Sequence, residues 1–129
     1  MLVVDASVMA PAVADGGADG LRHRRRLRGQ RLAGPDLLRL EVVSVLRRQV
    51  RLKRLDHTRA GAAIADLLAL PIFVYPTAPL LRRVWELRAN LTAYDACYVA
   101  LAEALGCTLV TADGRLARSP GITCPVEVV

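Results

Sequence analysis

Four acids in this sequence stand where a carboxylate is either costly or useful: Asp5, Glu41, Asp95 and Asp113. Asp5 directly follows the apolar run Leu2-Val3-Val4, and Asp113 comes just after Cys107-Thr-Leu-Val-Thr111. Both runs read as short buried strands, and the edge beyond strand C-termini is where open parallel sheets bind ligands. The other two acids lie inside helical patterns. Glu41 comes one turn after Leu37 and Leu38 and one turn before Val45, so it projects from the apolar stripe of its helix. Asp95 sits one turn after Leu91 and one turn before Tyr98 and Val99, in a segment almost free of other charge. An unpaired buried carboxylate costs several kcal/mol, so acids placed this way call for an arginine partner or a metal ion.

The remaining acids suggest structural roles. Asp36, Asp56 and Asp66 read as caps or solvated helix charges, and Asp15 and Asp19 flank a glycine turn. Glu86 and Glu103 fall on faces expected to be exposed, and Glu127 on the last strand. No G-x-S-x-G elbow, P-loop or G-x-G-x-x-G after a strand competes with the acids for the chemistry. Cys97, Cys107 and Cys124 are odd in number and lack a C-x-x-C, which indicates neither a disulfide framework nor a zinc site and fits reduced thiols in the cytosol. His23 and His57 lie among arginines and are expected on the solvated surface.

The elements that must position the acids follow from periodicity and punctuation. Strands are expected at Leu2–Val4, around Arg31–Pro35, at Ile72–Tyr75, at Cys107–Thr111 and at Val126–Val129. Helices are expected at Ala6–Ala14, Ala18–Gly29, from Asp36 to about Lys53, from Asp56 to Leu70, from Thr77 or Pro79 to about Ala89, at Ala93–Leu105 and at Asp113–Arg118. Short strands alternating with helices describe an α/β fold with a parallel sheet covered on both faces. The 129 residues fit one domain, 1–129, and 53% hydrophobic content excludes a disordered chain. No apolar stretch approaches the roughly 20 residues of a membrane span, and Met1-Leu-Val-Val reaches Asp5 without a secretory lead, so a soluble cytoplasmic protein is expected. The net charge is +6, with Lys53 the only lysine, which favours an anionic partner such as nucleic acid or an acidic protein segment.

Three motifs carry a family resemblance. Leu2-Val-Val-Asp5-Ala-Ser7, the helix Pro35-x-x-Leu38-x-x-Glu41-Val-x-x-Val45-Leu46-Arg47-Arg48, and Leu91-Thr-Ala-Tyr-Asp95-Ala-x-Tyr98 running on to Leu109-Val-Thr111-Ala-Asp113 resemble the PIN-domain ribonucleases. Length and motif order are similar to the VapC toxins of bacterial type II toxin–antitoxin pairs. The resemblance covers essentially the whole chain, although Leu55–Ala89 carries no motif. It implies a PIN-like three-layer sandwich whose five-stranded parallel sheet is ordered 3-2-1-4-5, bringing Asp5 and Asp113 to one switch point.

It also implies that Asp5, Glu41, Asp95 and Asp113 form a catalytic acidic pocket for Mg²⁺ or Mn²⁺. Asp5 and Asp95 would ligate directly. Glu41 and Asp113 would bind through water, position the attacking water or hold a second ion, with Ser7 and Thr111 supporting them by hydrogen bonds. Four carboxylates about 6 Å apart repel by roughly 3 kcal/mol per pair at an effective dielectric near 20, which protons or divalent cations must offset. Hard oxygen donors select Mg²⁺ or Mn²⁺ over zinc, and such an ion suits hydrolysis of an RNA phosphodiester.

The arginines Arg22, Arg24, Arg25, Arg26, Arg28, Arg47 and Arg48 would then meet RNA phosphates or an acidic tail of a VapB-type antitoxin. A homodimer is expected from the family. Tyr98 is expected in the core, and Trp85 in the core or an interface. The rival reading is a non-catalytic PIN-like module that binds RNA or protein, against which stands the presence of all four acids. A phosphatase would want Asp-x-Asp where Ser7 stands, and a receiver domain would want a lysine late in the chain.

Overall fold

Leu2–Val4 forms strand β1, buried at every residue, as a strand covered on both faces must be. The computed structural model describes residues 1–129. The chain continues as α1 (Ala6–Ala14), α2 (Ala18–Leu27), β2 (Leu32–Pro35), α3 (Leu38–Arg51) and α4 (His57–Ala69). It then forms β3 (Ile72–Tyr75), a 3₁₀ turn (Ala78–Leu80), α5 (Leu81–Glu86), α6 (Ala93–Leu105), β4 (Thr108–Thr111), α7 (Gly114–Ala117) and β5 (Val126–Val128).

All five strands are parallel and the order is β3-β2-β1-β4-β5, as the resemblance implied. Parallel neighbours need crossover connections, which are right-handed in nearly all proteins. The chain therefore lays α1 to α4 on one face while it builds towards β3, and the later helices on the other face once it reverses past β1. Contacts follow that division: α1 packs on α2, α3 and α4, whereas α5 packs on α6 and α6 lies on β1, β2 and β4. A single cluster of 32 buried residues runs through both layers, including Val3, Val4, Met9, Leu38, Tyr98, Leu101 and Leu109.

Boundaries differ from expectation where a backbone group is committed elsewhere. The helix expected from Asp36 begins at Leu38, because the Asp36 N–H donates to the Tyr75 carbonyl and keeps the chain at the sheet edge. The strand expected from Cys107 begins at Thr108, because the Cys107 N–H closes the end of α6 onto Ala102 around left-handed Gly106 (φ 61°). The helix expected through Ala89 splits into the 3₁₀ turn and the six-residue α5.

Burial departs from expectation at His23 and Glu103, and of the core and interface readings of Trp85 it removes the core. His23 is buried, 3% exposed, because Gly20, His23 and Leu27 form the buried stripe of α2 beneath its arginines. Trp85 is 67% exposed and lies under the Arg88 guanidinium, 4.5 Å from the ring centroid, so it is not a core residue. Glu103, expected to be exposed, is 12% exposed at its side chain and accepts two bonds from the Arg83 guanidinium at 2.7 and 3.1 Å.

Candidate active site

Every one of the four acids lies at the start of a helix that begins at the C-terminal edge of the sheet. Asp5 is the N-cap of α1, Asp113 is the N-cap of α7, and Glu41 and Asp95 sit in the first turns of α3 and α6. The positive end of each helix dipole favours a carboxylate there. The pairing of Val4 with Val110 places the ends of β1 and β4 side by side, and with them Asp5 and Thr111.

Asp5 is 7% exposed and both its oxygens are held. Ser7 Oγ donates to Oδ1 and Thr111 Oγ1 to Oδ2, each at 2.5 Å, and the Val8 N–H caps Oδ1 at 3.2 Å. The same hydroxyls fix the turn after β4, since Ser7 accepts from the Ala112 N–H at 2.9 Å and Thr111 from the Asp113 N–H at 3.0 Å. Glu41 is held from α6: the Tyr98 hydroxyl donates to its Oε2 at 2.7 Å. Asp95 follows the Thr92 cap, whose hydroxyl accepts its N–H at 3.2 Å. Asp113 accepts the Arg115 N–H at 2.8 Å.

The electrostatics join these acids into one group. Burial raises Asp5 above the ordinary carboxylate value against the pull of its three donors, and the charge of Asp95 pushes it further. Burial also raises Glu41, opposed by Tyr98 and reinforced by Asp95 and Asp5. Asp95 is raised by burial and by Asp113, while Thr92 and Arg115 oppose. Asp113 alone is lowered, by its bond from the Arg115 N–H and by the Arg115 side chain at 3.5 Å. No arginine, lysine or histidine forms an ion pair with Asp5, Glu41 or Asp95.

Three mutually repelling carboxylates without a cation are a donor set that a hard divalent ion fits. Their side chains stand apart, and no three acidic, histidine or cysteine groups close to metal-ligand spacing. Repulsion and the hydroxyl bonds on Asp5 both favour that separation.

A match to the PIN domain family spans residues 2–122. The chain belongs to the PIN-domain family. Ribonuclease VapC9 of Mycobacterium tuberculosis is 43% identical over 129 residues, spanning 100% of this chain and 98% of its own. Among solved structures, VapC20 of Mycobacterium tuberculosis, a sarcin–ricin-loop-cleaving toxin, superposes with a TM-score of 0.73 at 22% identity. That superposition covers 95% of this chain and 97% of VapC20. DNA-bound VapBC from Salmonella typhimurium gives a TM-score of 0.68 at 16% identity, covering 98% of this chain and 96% of that one. These two structures share the fold.

The arginines singled out from the sequence are spread over several hollows of the surface. Arg22 lines a hollow beside α3, Arg24 and Arg28 a second one beside α4, and Arg47 a third between α3 and α4. Several are committed within the fold. Arg26 binds both oxygens of Glu127 at 2.6 and 2.7 Å, Arg24 donates to the carbonyls of Ala12 and Asp15, and Arg22 pairs with Asp19 at 3.0 Å. Arg25, Arg28 and Arg48 are exposed and unpaired. Tyr98 is the residue whose polar contact the sequence reading missed. A buried tyrosine hydroxyl needs a partner, but this one comes from α3, 57 positions away, and no local spacing marks it.

Proposed function

We propose that this PIN domain is an endoribonuclease toxin of the VapC type that hydrolyses RNA phosphodiester bonds at Asp5, Glu41, Asp95 and Asp113 with Mg²⁺ or Mn²⁺. The observation that carries the reading is the placement of four helix-start carboxylates at one edge of the sheet, three of them in no ion pair. The likeness to VapC9, named a ribonuclease, over the full chain supports the activity. The reading takes residues 1–129 as one PIN domain.

Asp5 and Asp95 would hold the ion directly, and Glu41 and Asp113 would hold it through water, orient the attacking water or bind a second ion. A bound ion would supply charge neutralisation, a more acidic water and stabilisation of the leaving oxygen. The chain's own residues do the positioning. Ser7 and Thr111 fix the plane of the Asp5 carboxylate. Tyr98 holds Glu41 Oε2 and so leaves Oε1 as the free acceptor. The Asp113 cap and its contact with the Arg115 side chain both use Oδ1.

The partner of such a toxin is an antitoxin of the VapB type, a reading supported by the VapBC complex with the same fold. Exposed Arg25, Arg28, Arg47 and Arg48 are then available to RNA phosphates or to an acidic antitoxin segment. We further expect a homodimer and a cytoplasmic location. No helix is long and apolar enough to cross a membrane.

The test is titration of Mg²⁺ and Mn²⁺ into the protein by calorimetry, with single-stranded RNA cleavage followed in parallel. Saturable ion binding that Asp5→Asn weakens, together with cleavage that EDTA stops, is the expected result. Metal-independent cleavage would refute the proposed chemistry. No ion binding and no cleavage by folded protein would leave the non-catalytic binding module as the better reading.

A further inference from the structure

Cys107 and Cys124 stand at matching places just before neighbouring strands. β4 pairs with β5 as Leu109 with Val126, and a backbone bond runs from the Leu109 N–H to the Pro125 carbonyl at 2.9 Å. Carried two residues back, that register sets Cys107 opposite Cys124. A step of two along a strand returns a side chain to the same face. Neighbouring strands lie about 4.8 Å apart, inside the Cα separation of about 4.4–6.8 Å that a disulfide spans.

One helix brings both thiols to that place. α6 ends at left-handed Gly106, where the Cys107 N–H closes onto the Ala102 carbonyl. The segment before β5 is tied to α6 as well: Glu103 accepts the Thr123 N–H at 2.9 Å, and Cys124 Sγ lies 4.0 Å from the Val99 carbonyl. Both cysteines are half-buried free thiols packed against the main apolar cluster. Burial and the Glu103 charge push the Cys124 thiol up to about 11, and the charge of Cys107 adds to the rise, so the two sulfurs sense one another. They are not arranged for a metal. No third histidine, cysteine or acid joins them, and the Glu103 carboxylate is taken by Arg83 at 2.7 and 3.1 Å.

We propose that Cys107 and Cys124 are a reversible dithiol–disulfide pair which, when oxidised, staples the edge strand β5 to β4. β5 is three residues long and has a single neighbour in the sheet. Its far end reaches the acidic cluster, because the Val129 N–H donates to the carbonyl of Thr111, whose hydroxyl holds Asp5. The oxidant is a low-molecular-weight disulfide such as oxidised glutathione. One protein thiolate attacks it, forming a mixed disulfide and releasing one small thiolate. The second protein thiol loses its proton to solvent, attacks the first protein sulfur and releases the other small thiolate. The pair gives up two electrons and two protons, and the small disulfide becomes two thiols. The bond closes a loop and so removes freedom from the unfolded chain.

The third cysteine provides an internal control. Cys97 is 3% exposed within α6, and its thiol is raised by burial and by the charges of Asp36 and Glu41, not by another cysteine. The experiment equilibrates reduced full-length protein with glutathione mixtures of rising oxidised fraction, blocks the remaining thiols with N-ethylmaleimide and maps the peptides by mass spectrometry. Cleavage after Tyr98 and after Arg115 separates the three cysteines. The expected product is one link within a single chain, between Cys107 and Cys124, with Cys97 blocked only after unfolding. The oxidised protein should melt roughly 5–10 °C higher than the reduced one. Dithiothreitol should remove that rise in wild type, and Cys107→Ser should never show it. No link in a fully oxidised mixture, a link to Cys97, a bond between two chains or a glutathione adduct that persists on either thiol would each overturn the pairing. A melting temperature unchanged or lowered by the link would overturn the staple. Neither readout needs RNA, so this pair stands or falls separately from the ribonuclease reading.

Discussion

Tyr98 is 1% exposed, yet its hydroxyl reaches Glu41 at 2.7 Å, so one side chain both fills the core and holds an acid of the site. Burial and the Glu41 charge push its phenol well above the ordinary value, so it stays a donor throughout the usable pH range. Tyr98→Phe removes that donor without opening a cavity. The expected costs are about 1–2 kcal/mol of stability, read from the urea midpoint, and roughly tenfold in cleavage rate as Glu41 loses its orientation. An unchanged rate would mean that Glu41 needs no positioning. Asp5→Asn and Asp95→Asn act differently. Each removes one member of a repelling set, so without metal the melting temperature should hold or rise, while cleavage falls by more than about a hundredfold. A large loss of stability in Asp95→Asn would show that the carboxylate serves the fold rather than the reaction.

Arg83 ties three elements of the second layer together, and that makes Glu103 an element-scale residue. From α5 its guanidinium reaches Glu103 on α6 and the Gly121 carbonyl at 2.7 Å, and Glu103 also accepts the Thr123 N–H at 2.9 Å. Burial alone would raise the Glu103 carboxyl, but Arg83 and Thr123 more than offset it and hold it below its ordinary value. An acid lowered by folding stabilises at pH values above its unfolded pKa, and that stability is lost as pH falls through the folded value. Glu103→Gln should therefore cost about 2 kcal/mol at pH 7, with the gap to wild type closing below about pH 4. A gap independent of pH would mean that the charge is not what matters. On the other layer Gly20 lets α2 approach the end of α1, since an added Cβ would lie 1.9 Å from the Asp15 carbonyl oxygen. Gly20→Ala must move α2 away, with an expected loss of about 2–3 kcal/mol in denaturant unfolding.

The element pattern was legible because strand-end acids, caps and glycine stops are local signals. Thr92, Gly106 and the run Leu2–Val4 each announce their element without reference to the rest of the chain. The misread features depend on what another element supplies. The arginine run of α2 masked the buried stripe of Gly20, His23 and Leu27, and the exposure of Glu103 turned on an arginine from a different helix. The four acids could be found singly from their patterns. The Tyr98–Glu41 bond that joins two of their helices spans 57 positions and has no local signature.

At the scale of the whole molecule, the +6 charge and the acidic cluster have opposite tasks. In the proposed function the exposed arginines would attract an RNA strand, and the cluster would have to be neutralised before phosphates approached it. Binding of single-stranded RNA to Asp95→Asn protein should weaken with salt, with a slope of about −0.7 in log K against log salt for each phosphate contacted. A slope near zero would remove the arginines from the interface. An ion that binds only the folded protein should raise its stability by about 2.7 kcal/mol at a concentration a hundredfold above its dissociation constant. That rise should vanish in Asp5→Asn.

The central claim is that the acids at the sheet edge cut RNA. The most direct test incubates total cellular RNA with purified wild-type protein and with Asp95→Asn, each with Mg²⁺, with Mn²⁺ and with EDTA, and sequences the fragment ends. Wild type should give discrete fragments with either ion and none with EDTA, and Asp95→Asn should give none. Full cleavage by a folded Asp95→Asn protein, or cleavage that continues in EDTA, would contradict that claim.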